Sequence, residues 1–322
     1  MSRLSELRGN LFSLFADHPY RIAHEKAQSL LKPLAGDQEL FEELILEAVR
    51  KPDFFKQKRI NPVIAFDLAK NPDCHLIAHC WLPRPDGNTD ISHQSIHHHG
   101  NLLLTSLSAF GPGYESVLFR AGFEIDSNTL QTRMQLEKMY KNPQGNIEFV
   151  DIDTPHIVFY PEKLSVTYAL WSNDKKVATQ KLKRLPLLQK YKSILKPLLY
   201  KIGLDKALHV NTIKFLDFYV EDGKVIVMPE RVRYPDGSNE NFLRAFFHLL
   251  QSMNFKKIAE LERAMIANSD AQMAIPYLKD LMHGKPIPNT FEEIHLQIPK
   301  VTIPRSAIYQ CFPELQKQSK SG

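Results

Sequence analysis

Four of the thirteen histidines lie within seven residues of one another, at His93, His97, His98 and His99. Residues i and i+2 of a β-strand point to the same face, so an extended segment here places His97 and His99 together and His98 on the other side. Two imidazoles on the inner face of a barrel strand form half of a site for iron, zinc, copper or nickel. His156 is the best candidate for a third ligand, because it opens a later apolar segment, HIVFY.

A run of three histidines is also typical of an exposed polar cluster, or of histidines paired in a core. The surrounding sequence favours the metal site, because from about residue 73 short segments rich in β-branched and aromatic residues alternate with turn residues. These segments are HLIAHCWLP, LLLTSLSAF, YESVLFRAGFEI, NIEFVDI, HIVFY and LSVTYALWS. Strands at this spacing predict a barrel or sandwich rather than βαβ units.

The segments on either side of these strands have a different pattern. The first seventy or so residues are predicted to be helical, and QELFEELILEAVR (38–50) has apolar residues at helical spacing after a plausible N-cap, Asp37. Further on, KFLDFYVEDGKVIVMPERVRY predicts a hairpin with a tight Asp222-Gly223 turn. Residues 240–267 predict a long helix, and the proline-rich end predicts an irregular tail.

Composition narrows the class of protein. The chain has 322 residues, of which 43% are hydrophobic and 24% charged, as in a soluble globular protein. We expect no membrane span, because no apolar run approaches roughly 18 residues. Three scattered cysteines and a charged N-terminus predict a reducing, cytoplasmic location.

The net charge of +5 is mild, with basic residues concentrated at 50–59 and 175–196. Such runs are usually solvated faces, and binding of an acidic partner is the alternative. No Walker loop, GxGxxG, zinc-finger or RNP-like motif is present, so we expect no nucleic-acid partner.

The segment over residues 73–175 resembles the cysteine dioxygenase (thiol dioxygenase) family of the cupins. The resemblance is carried by Cys80-Trp81, Gly87, Ile96-His97-His98-His99, Leu102 to Phe110, Glu115 to Phe119, and PHIVFYPEKLSVTYALWS (155–172). It implies Fe(II) held by His97, His99 and His156. The carboxylate that most cupins place shortly after the HxH has no counterpart in the stretch Gly100 to Leu103.

Three neutral ligands leave the charge of the metal uncompensated, so its open positions suit an anionic donor, such as a thiolate or carboxylate, beside O₂. Ni, Cu and Zn bind imidazoles at least as well as Fe(II), so the ligand set does not fix the metal. Glu115 is a candidate fourth ligand, and a surface charge on the barrel is the alternative.

The sequence departs from the family at its catalytic and substrate-binding positions. The family's supporting tyrosine aligns with Trp171, an indole N–H donor that we take as a candidate catalytic residue together with His93. The candidate substrate-binding residues are Tyr168, Arg59 and Arg231. Arg59 is the basic residue nearest to the position at which the family has its carboxylate-binding arginine. Arg231, together with Arg233, could hold a carboxylate in a bidentate contact.

The sequence therefore predicts a mainly β protein with flanking helices (α+β) in three parts. These are a helical N-terminal segment (1–72), a cupin-type β-barrel with the metal site (73–178), and a mixed α/β C-terminal extension (179–322) that could act as a lid or partner surface. The leading function is a non-haem iron oxygenase of the thiol-dioxygenase type, acting on a small chelating molecule. The alternatives are a metal-dependent isomerase or lyase that consumes no O₂, and a non-catalytic binding or scaffold protein.

Overall fold

The computed structural model describes residues 2–58, 63–176, 215–229, 237–289, 300 and 302–315. Its helices are α1 (Arg3–Asp17), α2 (Tyr20–Leu31), α3 (Gln38–Val49), α4 (Asn239–Ser252), α5 (Ile258–Ile266), α6 (Ile275–Met282) and α7 (Arg305–Cys311), with 3-10 turns at Lys32–Leu34, Phe54–Lys56 and Ser269–Ala274. Among these described helices, none combines the length and the apolar character needed to cross a bilayer.

Thirteen strands are described. They are β1 (Val63–Lys70), β2 (His75–Trp81), β3 (Ile96–His98), β4 (Leu102–Phe110), β5 (Glu115–Phe119), β6 (Glu124–Ile125), β7 (Gln131–Arg133), β8 (Leu136–Lys141), β9 (Ile147–Val150), β10 (His156–Val158), β11 (Ser165–Asn173), β12 (Leu216–Glu221) and β13 (Lys224–Val227). They form two antiparallel sheets, β1-β2-β11-β4-β9 and β6-β7-β13-β12-β3-β10-β5-β8.

The strand order identifies a jelly-roll barrel. The chain passes between the sheets at almost every step, so β2, β4, β9 and β11 lie in the first sheet and β3, β5, β8 and β10 in the second. Eight strands wound in this way build the double-sheet jelly roll. The predicted fold class, a mainly β barrel with flanking helices, is confirmed.

Side chains along the strands of the first sheet alternate between an outer face, which is buried against the helices, and the barrel interior. On β11, Tyr168 and Leu170 join the core shared with the helices, whereas Thr167, Ala169 and Trp171 face the interior. β2 and β4 alternate in the same way. Each strand carries apolar residues on both faces, since one face packs on helices and the other lines a chamber.

The outer face of the second sheet is covered by the C-terminal helix. Ile308 and Phe312, in and just after α7, pack against the face that carries Ile96, Phe119 and Phe218. The predicted irregular tail therefore contains a short helix. It is anchored by Ser92, which accepts a hydrogen bond at Oγ from the backbone N–H of Ile303.

The N-terminal segment is helical up to Val49, and α3 has the predicted N-cap, because the Asp37 carboxylate accepts the backbone N–H of Leu40. The expectation of helix over the first seventy residues is wrong at its end. Residues Val63–Lys70 form β1, which pairs with β2 and alternates buried and half-buried side chains. β1 is an additional strand at the edge of the first sheet. Its side chains therefore alternate between the two faces with a period of two residues, not the 3.6 residues of a helix.

The C-terminal predictions have mixed outcomes. The hairpin is confirmed, since β12 and β13 pair across Asp222-Gly223, both with positive φ, as a two-residue turn requires. The long helix over 240–267 is wrong, because it breaks into α4 and α5 at Asn254, a left-handed residue with φ of 51°. The break turns Phe255 into the core. Most of the basic segment 175–196 lies outside the described residues.

One buried histidine joins the helical layer to the barrel. His24 of α2 is fully buried, with Nδ1 at 2.8 Å from Thr105 Oγ1 on β4 and Nε2 at 2.9 Å from Ser172 Oγ on β11. Burial lowers the pKa of His24 to about 4, with a smaller contribution from the charge of Arg21. The folded protein therefore keeps this imidazole neutral.

We predict that His24 makes folding sensitive to acid. Between pH 6.5 and 4 the unfolded chain binds a proton on His24 and the folded chain does not, so the stability contributed by the neutral ring is lost as the pH falls through this window. The loss between pH 7 and 5 is about 2 kcal/mol. Urea unfolding at both pH values measures it, and His24→Gln should flatten the pH dependence. An unchanged slope in that variant would contradict the assignment.

Candidate metal centre

Strand pairing brings the predicted ligands together. β3 and β10 are antiparallel neighbours, with His97 directly opposite His156. His99 follows the end of β3 at a turn where Gly100 has φ of +58°, and it returns to the same face as His97. All three side chains reach the interior space between the two sheets.

The three imidazoles form a compact cluster. Their ring centroids are 4.2 Å apart for His97 and His156, 4.7 Å for His99 and His156, and 4.9 Å for His97 and His99. One nitrogen from each ring lies within 4.8 Å of the other two, and no carboxylate belongs to this group of described residues. The arrangement matches a divalent metal site with three neutral ligands.

Backbone contacts hold two of the rings in a ligating tautomer. His97 Nδ1 lies 2.9 Å from the carbonyl of Ser95, and His156 Nδ1 lies 3.2 Å from the carbonyl of Thr154. A carbonyl only accepts, so each Nδ1 carries the proton and each Nε2 keeps its lone pair. Metal-ligating histidines commonly make this kind of contact with their second nitrogen. The Gln94 amide donates to His97 Nε2 at 2.9 Å, which agrees with that tautomer.

The environment keeps His99 and His156 uncharged. Burial lowers the pKa of His99 and of His156 well below 6.5, and each neighbouring imidazolium charge would lower it further. A metal needs its histidine ligands neutral. The protein therefore presents the protonation state that ligation requires without an acidic partner.

His99 lies between two spaces that share part of their lining. A small inner chamber of about 90 Å³ is lined by all three imidazoles together with Gln94, Ser116 and other interior side chains of both sheets. An outer cavity of about 480 Å³ opens on the other side of His99 and is lined by the 71–79 segment, the end of β11 and Phe215. His79, His99 and Trp171 line both spaces.

The two candidate catalytic residues have different positions. Trp171 contacts the site, with its ring 4.5 Å from that of His99 in an edge-on arrangement. His93 is buried behind the chamber wall, with its ring 4.7 Å from Trp81 and 4.9 Å from Tyr160, and it does not line the chamber. The structure therefore brings Trp171, but not His93, to the cluster.

The substrate-binding candidates receive no support from the geometry. Tyr168 is fully buried in the core between β11 and the helices, because the alternation of the strand turns it away from the chamber. As a substrate-binding residue it is therefore wrong. Arg59 and Arg231 lie outside the described residues.

Glu115 is not a fourth ligand. Its carboxylate pairs with Arg305 at the start of α7, and Asp90 contacts the same guanidinium at 3.3 Å. The guanidinium in turn lies over the ring of Phe159, 4.0 Å from its centroid. The barrel-surface alternative is the correct one, with the C-terminal helix supplying the counter-charge.

Several chamber residues escaped the sequence reasoning. His79 and Gln94 line the chamber beside the cluster, and Tyr114 and Tyr140 form part of its wall. His79 shares a strand face with His75, a pair more typical of a core or edge position than of a metal site, so the sequence did not place it in the chamber. Tyr114 and Tyr140 lie outside the histidine motif and gave no signal.

No family model matches the sequence, and no curated protein matches it. Solved structures do match, over about a third of this chain. One is a DMSP lyase from Ruegeria pomeroyi DSS-3, at 11% identity and a TM-score of 0.25, covering 38% of this chain and 56% of that one. Another is an RmlC-like cupin from Shewanella frigidimarina NCIMB 400, at 10% identity and a TM-score of 0.22, covering 35% of this chain and 78% of that one.

A third is an L-ribose isomerase from Acinetobacter sp. DL28, at 11% identity and a TM-score of 0.23, covering 34% of this chain and 59% of that one. The chain thus spans just over half the length of the lyase and of the isomerase. At such scores the matches add no argument beyond the strand order, and that order decides the fold. The barrel is a double-sheet jelly roll, the architecture to which cupins belong. The resemblance to cysteine dioxygenases receives no support from these matches.

We predict that His97 and His156 occupy the Nδ1–H tautomer in the metal-free protein, because a backbone carbonyl accepts from each Nδ1. A free, neutral histidine side chain in water favours the Nε2–H tautomer, so the result is diagnostic. Two-bond ¹H–¹⁵N correlation spectra of protein labelled in histidine measure the tautomer. The single variants His97→Gln and His156→Gln assign the signals. An Nε2–H pattern for either residue would contradict the pre-organisation of the site.

Proposed function

We propose that this chain is a metal-dependent enzyme in which His97, His99 and His156 hold a divalent transition metal, with Fe(II) as the working ion, and that it oxygenates a small chelating substrate. The observation that carries the proposal is the cluster of three neutral imidazoles whose ligating atoms lie within 4.8 Å of one another. Imidazole suits iron among other metals, so the donor chemistry of the residues fits the ion.

The charge of the site favours an anionic donor from the substrate. Among the described residues no carboxylate lines the inner chamber, so the ligands would leave both positive charges of the ion uncompensated. A thiolate or carboxylate supplied by the substrate would offset them. This supports a substrate that binds through its own acidic group, as in the thiol-dioxygenase type of reaction.

The residues around the cluster have separable tasks in this scheme. When bound, the metal supplies redox chemistry with O₂ and positions for chelation. The carbonyls of Ser95 and Thr154 fix the orientation of two ligand rings. Gln94 lies within hydrogen-bonding reach of the ligand face, and Trp171 covers the edge of His99. The small chamber limits how much water surrounds the reacting groups.

The chamber lining favours oxygenation over Lewis-acid isomerisation or elimination. Those reactions need a base near the substrate carbon. Burial raises the pKa of both chamber phenols, Tyr114 and Tyr140, which makes them poor bases at neutral pH. His79 is the remaining candidate base among the described lining residues. An oxygenase needs no such group, because the substrate would be activated by binding.

We predict that purified protein, loaded anaerobically with Fe(II) and desalted, retains about one iron per chain. The double variant His97→Ala/His99→Ala should retain none, because one imidazole cannot hold the ion. Elemental analysis measures both. Oxygen-electrode traces with small thiols and carboxylic acids then show whether the iron-loaded protein consumes O₂.

His98→Asn is the matched control. His98 lies between the two ligands in sequence but on the opposite face, with its ring 5.4 Å from Phe123, and its Nδ1 accepts the Gly100 N–H at 3.0 Å. Asparagine keeps an acceptor there, so this variant should bind iron normally. Failure of the wild type to hold any transition metal would end the enzyme proposal. Metal binding without oxygen uptake, but with turnover of a hydroxy or carbonyl compound, would move it to an isomerase or lyase.

A further inference from the structure

The inner chamber and the outer cavity differ about fivefold in size. The chamber, at about 90 Å³, is smaller than ordinary small-molecule sites, which begin at about 300 Å³. The outer cavity, at about 480 Å³, falls within their range. A substrate of ordinary size therefore does not fit wholly in the chamber.

His79, His99 and Trp171 separate these spaces, and we call them the constriction. They line both volumes, and the edge-on contact of Trp171 with His99, at 4.5 Å between ring centroids, leaves the indole beside a proposed ligand. Trp171 belongs to β11, and this strand pairs with β2 on one side and β4 on the other. A buried strand with two partners is a rigid support for a bulky side chain.

We propose that the constriction, and Trp171 above all, selects substrates by the width of their metal-binding end. The substrate places a narrow donor group in the inner chamber and its larger body in the outer cavity. Trp171 is then a specificity-determining residue. This inference rests on the proposed metal site.

The lining of the outer cavity indicates what the body of the substrate is like. Its described residues include the amides of Asn71 and Asn173 and apolar surface from Ile77 and Phe215, with no lysine or arginine among them. The one carboxylate among the described lining residues, that of Asp73, already accepts a hydrogen bond from Tyr20 at 2.8 Å. The cavity thus fits a polar, uncharged body, and discrimination by shape at the constriction outweighs discrimination by charge.

Two isomeric thiols test the constriction in protein loaded with Co(II), whose thiolate charge-transfer band reports binding directly without turnover. n-Butanethiol and tert-butanethiol have the same atoms, but the second is wide at the carbon next to sulfur. We expect the wild type to bind the linear isomer more tightly by about tenfold or more. In Trp171→Ala the preference should fall to about threefold or less, mainly through tighter binding of the branched isomer.

Tyr219→Ala is the matched control, because Tyr219 on β12 is a half-buried aromatic residue that lines neither the chamber nor the outer cavity. It should keep the wild-type preference, and Trp171→Phe should lie between the two. An equal preference in wild type and Trp171→Ala, with Co(II) bound normally, would overturn the constriction and leave the metal site standing. A wild type that binds no Co(II) would instead overturn the proposed function itself.

Discussion

The pairing of β3 with β10 is the constraint on which the rest of the site depends. It sets His97 directly opposite His156. His156 follows His99 by 57 residues in the sequence, so the pairing brings two distant motifs into one cluster. A slip of one residue in this register would turn His97 outward and His98 inward, because side chains alternate with a period of two. The apolar residues on the outer face oppose such a slip, since Ile96, on the same strand as His97, would leave the core against α7.

The helical layer fixes which side chains of the first sheet face the chamber. β11 must present Trp171 to the chamber and Leu170 to the helices at once, and the core under α1–α3 fixes which residues face inward. His24 ties this layer to β4 and β11 through two hydroxyls, one of them on Ser172, next to Trp171. The helices are thus part of the support for the constriction, although none of their residues is described as lining the chamber.

Local pattern was enough to predict β2, β4, β5, β9, β10 and β11, the α3 cap, the Asp222-Gly223 hairpin and the three-histidine cluster, because each depends on residues a few positions apart or on strand alternation. It was not enough for β1, whose partner strand decides its conformation, or for the break at Asn254, where tertiary packing of Phe255 overrides helical propensity. Glu115 shows the same limit, since its partner, Arg305, lies 190 residues away. His79 and Gln94 belong to the site only through the closure of the barrel.

The absence of an acidic ligand among the described residues links the chemistry of the site to its shape. A carboxylate in the first ligand set would offset part of the charge of a divalent ion and weaken the demand for an anionic substrate group. With three neutral imidazoles that demand is strong, and it would attract many small acids and thiols equally. Electrostatics alone therefore gives binding without selectivity. A rigid indole beside His99 supplies what the charge cannot, because steric exclusion discriminates between donors of the same charge.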